Sequence, residues 1–186
     1  MIRTFIAISV PEEIKERISD FQRNLKKGKG FIKWVRTESM HLTLKFLGDV
    51  EEDRVASITE SVGEAVGTQK PFTISLVGTG VFPHPGRPRV LWVGVEQGKE
   101  ILISLAEKID RSCTSLGFKP EKRKFSAHLT LGRVKSPKGI DSTLSTMKTV
   151  DFQGGSFQAD EIVVMKSELR PEGALYTPLH TIKLEG

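Results

Sequence analysis

One tetrapeptide, His-Leu-Thr-Leu, stands twice in this 186-residue chain, at His41 to Leu44 and again at His128 to Leu131. It takes up two of the four histidines. Leucine alternates with polar residues, so each copy reads as a β-strand with His and Thr on one face and the leucines turned to the core. On such a face the two polar side chains stand roughly 7 Å apart, two rises of about 3.3 Å. The copies lie 87 positions apart, counting from 41 to 128. A chain built this way is constrained to repeat its framework as well as its motif.

The flanks carry the repeat. Shifted by the same offset, the apolar strand Phe5 to Ser9 falls on Trp92 to Glu96, and Ile14 and Ile18 of a following helical stripe fall on Ile101 and Leu105. After each motif comes a helical stretch, Glu51 to Gly67 in the first half and a shorter one, Gly139 to Thr149, in the second. The simplest account is two β-α-β-α units related by a pseudo-twofold axis. The period is too long for a solenoid, whose repeats run to roughly 20 to 50 residues.

Elements can be marked along the chain. Thr4 to Val10 is a strand that runs into Pro11, a favourable first helical position, with Glu12 and Glu13 at the positive helix end. Ile14, Ile18, Phe21 and Leu25 form the stripe of the first helix, and Phe31 to Val35 a short strand. The second helix carries Val55, Ile58, Val62 and Val66; Phe72 to Val81 and Arg89 to Val95 read as strands around the loop Pro83 to Pro88. A third helix ends near Gly117, a C-cap candidate. Ile162 to Met165 and Leu175 to Leu184 close the chain around the turn Arg170-Pro171-Glu172-Gly173. The expected class is α+β: a bilobed molecule with two antiparallel sheets facing a central cleft and helices outside. No low-complexity linker separates the halves, so residues 1–186 are expected to pack as one domain with lobes at approximately 1–88 and 89–186, exchange of strands between them being allowed.

Composition adds bounds. A chain of this length can bury about 70% of its unfolded surface without staples. Hydrophobic content of 38% and charged content of 27% are those of an ordinary globular protein. A net charge of +5 points weakly to an anionic partner. Cys113 is the sole cysteine, which excludes an intramolecular disulfide, and its place in the series Ile101, Leu105, Ile109 reads as buried packing. No apolar stretch nears the ~20 residues of a membrane span, and the amino-terminal apolar run lacks a cleavage-like site, so a cytoplasmic protein is expected.

The motif residues suit one kind of chemistry. Histidine titrates near pH 6.5, so one of a pair can hold a proton while the other accepts one. Cleavage of a phosphodiester needs that division, with a base to activate the nucleophile and an acid to protonate the departing oxygen. Threonine hydroxyls can donate to the non-bridging oxygens where charge gathers. A single His-x-Thr on a strand is an ordinary polar face; two copies in register within a duplicated frame are not. His84, between prolines, reads as a loop residue, and His180, followed by Thr181 and Ile182, as structural. Catalytic zinc takes three protein ligands, and neither motif offers a carboxylate or thiolate on the same face, so no metal and no cofactor are expected. Gly78-Thr79-Gly80 ends a strand without the glycine pattern and helix start of a phosphate-binding loop.

These residues resemble the 2H phosphoesterase superfamily, which carries two His-x-Thr/Ser-x motifs, and more narrowly the RNA 2′,3′-cyclic phosphodiesterases, also called 2′-5′ RNA ligases. The likeness spans the chain: Arg3 to Ala7, His41 to Gly48, His128 to Arg133, then Ser167-Glu168-Leu169 with Gly173 and Tyr176. It implies hydrolysis of a 2′,3′-cyclic phosphate to a 2′-phosphomonoester. In that scheme His41 donates a proton to the leaving 3′ oxygen, His128 is the base that activates water, and Thr43 and Thr130 bind the phosphate. Arg133 and the run Lys122-Arg123-Lys124 are candidate RNA contacts; Arg133 falls an odd number of residues from His128, so it needs a bend at Gly132 to reach the cleft. The implied partner is RNA with a 2′,3′-cyclic phosphate end, tRNA fragments among the candidates, acted on by a monomer away from membranes. Two other functions share these residues: RNA ligation through a 2′-5′ linkage, which uses the same acid and base in reverse, and a non-catalytic RNA-binding module.

Overall fold

A computed structural model describes residues 1–171 and 173–186; the expected turn at 170–173 includes Glu172, which lies outside the described residues. Among the described residues nine strands and four α-helices follow one another as β1 (Ile2–Ser9), α1 (Glu12–Leu25), β2 (Phe31–Trp34), β3 (His41–Val50), α2 (Val55–Val66), β4 (Phe72–Phe82), β5 (Val90–Val95), α3 (Lys99–Ser115), β6 (His128–Ser136), α4 (Asp141–Thr149), β7 (Gln153–Ala159), β8 (Glu161–Arg170) and β9 (Gly173–Lys183). The second helix starts at Val55 rather than Glu51, because Glu52–Arg54 winds as a 3-10 turn first.

These strands pair antiparallel throughout. One sheet has the order β3-β1-β8-β9, the other β2-β6-β5-β4-β7. Each motif strand is therefore paired with the first strand of its own half, while β2 and β4 of the first half, and β8 and β9 of the second, cross to the other half's sheet. Two helices cross too: α1 packs beside α4 on the five-stranded sheet, and α3 beside α2 on the four-stranded one. Burial of residues such as Ile18, Ile58, Leu105 and Leu129 between helix and sheet drives this arrangement, each apolar side chain contributing about 1.5–3 kcal/mol.

The repeat keeps its register only within elements. Ala7 pairs with Thr43 and Trp92 pairs with Thr130, so the first strands correspond at an offset of 85 (7 to 92) rather than 87. The helices correspond at 88: Ile14, Ile18, Phe21 and Leu25 match Leu102, Ala106, Ile109 and Cys113, all buried. Ile101, expected to repeat Ile14, is only half-buried. The difference is absorbed by the longer connection at Glu96-Gln97-Gly98, where a surface turn tolerates extra residues.

β7 has no counterpart among the expected strands. Its sequence, Gln-Gly-Gly-Ser-Phe-Gln-Ala, has little strand propensity. It is held by its neighbour: Phe157 pairs with Ile74, and Gly154 lies so close to Leu76 that an added Cβ would come within 2.9 Å of its Cβ. Cys113 is buried as expected, and burial pushes its thiol up to about 11. Beyond the end of α3 lies Gly117, whose φ of +89° lets Phe118 N–H bond the Cys113 carbonyl. Among the described residues no helix is long and apolar enough to cross a membrane.

Candidate active site

Both motif strands break their alternation at the same place. In β3 Ala7 pairs with Thr43 and Ile6 with Lys45, leaving Leu44 as an extra residue; in β6 Trp92 pairs with Thr130 and Leu91 with Gly132, leaving Leu131. Each is a β-bulge, which turns two successive side chains inward and re-aims those that follow. Leu44 and Lys45 are consecutively buried, and Leu131 and Gly132 likewise. Beyond the bulge Phe46 and Arg133 come out on the face that carries His and Thr. The bend that Arg133 requires thus lies at Leu131–Gly132. Glycine is demanded there, since a Cβ on residue 132 would sit 2.7 Å from Ile32 Cγ2.

The two imidazoles are held alike. His41 Nδ1 lies 2.8 Å from the Ser39 carbonyl, and His128 Nδ1 lies 2.7 Å from the Ser126 carbonyl. A carbonyl can only accept, so Nδ1 carries the proton in the neutral ring and Nε2 is the nitrogen whose lone pair is left free. An aromatic ring meets each imidazole edge to face: Tyr176 at His41 with centroids 4.9 Å apart, and Phe82 at His128, also 4.9 Å. Phe5 adds a second contact to His41 at 4.7 Å. Burial accordingly lowers both histidines, His41 to about 4 and His128 below its ordinary value. The backbone bonds to Ser39 and Ser126 oppose the effect; Lys15 near His41 and Arg133 near His128 add to it.

Arg133 links the two halves of the site, because its field reaches both the His128 imidazole and the Tyr176 phenol that covers His41. Thr43 and His128 line one cavity of about 980 Å³, and Lys122, Arg123 and Lys124 line it as well. His41 and Thr130 are not among its lining residues; they occupy the continuation of the same two strand faces, and Thr130 is half-buried opposite Trp92. His84 lies in an exposed loop and His180 on the exposed face of β9, both apart from the motif strands.

Several lining residues were not singled out from the sequence. Arg87 and Arg89 bring two more guanidinium groups to the cavity from the loop before β5. Phe46, Phe82 and Phe125 give it aromatic walls, and Arg3 lies 4.6 Å over the Phe46 ring. Two arginines in a proline-rich loop are the only sequence signal for the first pair; the phenylalanines have none, Phe46 being turned to the cavity by a bulge that only the strand pairing shows. Trp92, paired with Thr130, sets its indole against Gly80, where a Cβ would fall 2.2 Å from the ring. Among the described residues no three His, Cys, Asp or Glu side chains gather as metal ligands.

The chain matches the model of the family described as LigT like Phosphoesterase twice, over residues 8–92 and 93–176, one match per half. It is 36% identical to the RNA 2′,3′-cyclic phosphodiesterase of Methanothermobacter thermautotrophicus over 98% of this chain and 99% of the relative. It is likewise 36% identical to the protein of the same name from Thermotoga maritima, over 100% and 97%. Among solved structures it resembles TT0787 of Thermus thermophilus, with a TM-score of 0.83 at 28% identity over 100% and 99% of the two chains. It also resembles E. coli LigT complexed with 3′-AMP, with a TM-score of 0.76 at 26% identity over 98% and 97%.

Proposed function

The chain belongs to the LigT-like phosphoesterase family, and we propose that it hydrolyses 2′,3′-cyclic phosphate ends of RNA to 2′-phosphomonoesters by acid–base catalysis between its two motif histidines. The observation that carries the reading is the matched pair of imidazoles, each with Nδ1 held by a backbone carbonyl two residues upstream and Nε2 left for proton transfer.

In the proposed reaction His128 Nε2 takes a proton from water as the water oxygen attacks phosphorus. The 3′ oxygen departs on the opposite side, where His41, as the imidazolium, supplies its proton through Nε2. Thr43 and Thr130 donate their hydroxyl hydrogens to the non-bridging oxygens. Burial works against the imidazolium form of His41 in the free protein, and the bound phosphate anion works for it. The acid is thereby charged chiefly when substrate is present. Arg133 offers a guanidinium to the phosphate, while Lys122, Arg123 and Lys124 offer cations to the strand that follows it. The substrate class is RNA with such an end, tRNA fragments included, and the acting species is the monomer. No step calls on a metal ion.

The test is incubation with an oligoribonucleotide ending in a 2′,3′-cyclic phosphate, with a chelator present, followed by identification of the terminal phosphate. A 2′-phosphate is expected. A 3′-phosphate would reverse the assignment of the leaving oxygen. A 2′-5′-joined product formed from a second RNA with a 5′ hydroxyl would make ligation the principal reaction. Binding with no change in the RNA would leave a recognition module.

A further inference from the structure

Lys45 is the only buried charged side chain among the described residues, its side chain 1% exposed. It sits on the inward side of the β3 bulge, two residues beyond Thr43. Its ammonium donates to Asp110 Oδ1 on α3 at 2.5 Å and to the Lys119 carbonyl at 2.8 Å, with Glu121 Oε1 at 3.7 Å. Asp110 also accepts from the Glu121 backbone N–H at 3.1 Å. Lys119 and Glu121 open the loop that passes through Lys122-Arg123-Lys124 and ends at Ser126, whose carbonyl holds His128.

The other half has a neutral version of this device. At the helical offset of 88 the partner of Asp110 is Gln22 on α1 (22 to 110), also 1% exposed. Gln22 Nε2 donates to the Leu131 carbonyl at 2.8 Å and to the Val35 carbonyl at 3.0 Å, and Val35 N–H donates to Leu131 at 2.9 Å. Val35 opens the segment that ends at Ser39, whose carbonyl holds His41, and Leu131 is the bulge residue of β6. The segment leading to each histidine is thus tied to the other histidine's strand, at its bulge.

Stability does not account for the charge at Lys45. Replacing a buried ion pair by apolar residues of similar volume is often neutral or stabilising. We propose that Lys45 with Asp110, and Gln22 in the other half, are positioning residues that cross-link the two motifs, so that each imidazole is aimed by the strand carrying the other. The inference rests on the reading of these histidines as the catalytic pair. A displacement of about 1 Å at such a pair can cost on the order of a hundredfold in rate.

Proton NMR of the hydrogen-bonded Nδ1–H of each histidine tests this, alongside kinetics on a cyclic-phosphate oligonucleotide. The double variant Lys45→Met, Asp110→Leu removes the pair as a unit. It is expected to melt near the parent, to lose or broaden the His128 resonance while keeping that of His41, and to lose at least about tenfold in kcat. Its KM should rise as well, because the basic loop is freed. Gln22→Leu is expected to do the opposite, disturbing His41 and leaving His128 and KM alone. Asp110→Asn, which keeps the hydrogen bonds, should retain the His128 resonance. A folded double variant, or a folded Gln22→Leu, with both resonances intact overturns the cross-link, and loss of both resonances together in either one reduces it to general packing. Because the resonances need no substrate, a protein that shows the expected pattern yet leaves cyclic phosphates untouched upholds the cross-link and refutes the proposed reaction.

Discussion

The Phe82 ring meets the His128 imidazole edge to face, with centroids 4.9 Å apart and planes at 88°. Tyr176 makes the same contact with His41 at 4.9 Å and 86°. The two aromatics both come from strands that crossed to the other half's sheet, β4 for Phe82 and β9 for Tyr176. Each imidazole is therefore pinned by a backbone carbonyl on one side and desolvated by a ring on the other. This environment sets what the substitutions and pH should do.

Replacing either histidine should abolish turnover without unfolding the chain. His41→Ala and His128→Ala are each expected to lose at least about a hundredfold in rate, the scale of a general acid or base. Thermal melts should move by only a few degrees, since both side chains lie at the cleft rather than among the apolar residues of the core. Initial rates and melting curves on the same preparations check this; a variant hydrolysing at near-parental rate would remove its histidine from the mechanism.

Activity should peak on the acid side of neutrality when measured as kcat/KM. Burial makes the cationic form of both rings harder to reach in the free protein, His41 down to about 4 and His128 also below 6.5. The free-enzyme profile reports those groups, so its maximum is expected below pH 6.5. Bound phosphate favours the cations, so the kcat profile should lie at higher pH than the kcat/KM profile. Coincident profiles centred above neutrality would contradict this.

Stability should follow the same histidines. Because their folded-state values are depressed, the unfolded chain binds protons more readily as pH falls below 6.5. Stability is then full above pH 6.5 and declines as pH falls toward about 4, where His41 at last charges in the folded protein. Denaturant midpoints measured across that window should fall with acid, and His41→Gln should flatten the trend. A parental midpoint constant from pH 6.5 to 4 would show that the burial is not felt.

The roles of the two histidines can be separated by the leaving atom. A substrate with sulfur bridging at the 3′ position departs as a thiolate, whose reference pKa near 8.5 makes protonation far less necessary than for an alcohol. It should partly rescue His41→Ala and leave His128→Ala impaired, because water still needs a base. Rescue of His128→Ala instead would exchange the roles. Rescue of neither would make both residues phosphate binders.

Binding of RNA should be salt-dependent through the cations that line the cavity. Converting Lys122, Arg123 and Lys124 to alanine is expected to lower the slope of log affinity against log salt, since fewer counterions are released from the phosphates. Arg87→Ala with Arg89→Ala should lower it further, as both guanidinium groups share that wall. An unchanged slope in the lysine–arginine variant would route the strand elsewhere.

Much of this arrangement is legible in the amino-acid sequence, and the exceptions have physical causes. The helix stripes and most strands follow from periodicity because each element buries one face. β7 escapes because two glycines and two glutamines carry no apolar alternation, and only its pairing with β4 makes it a strand. The repeat is visible at the motifs, where both copies keep the same residues. The offset of 87 misaligns it by two residues at the first strands and by one at the helices, because a surface turn changed length between them. Arg87, Arg89, Gln22 and Asp110 carry no local signal of a shared role, since their partners lie far away along the chain.

The sequence by itself determined which groups are present and on which face of a strand they begin: two His-x-Thr pairs, each backed by leucines, in a duplicated frame. Period-two alternation is a local property, and it holds as far as Leu44 and Leu131. Tertiary structure decided what comes after. The bulges reverse the alternation, burying Lys45 and turning Phe46 and Arg133 into the cleft. The crossing of β4 and β8 lays Phe82 against His128, and with β8 comes the β9 edge that sets Tyr176 against His41. Which ring desolvates which histidine, and which buried cation ties which loop, depend on contacts between residues remote in sequence. Such contacts form only when two curved sheets close on each other, and no stretch of either half encodes them alone.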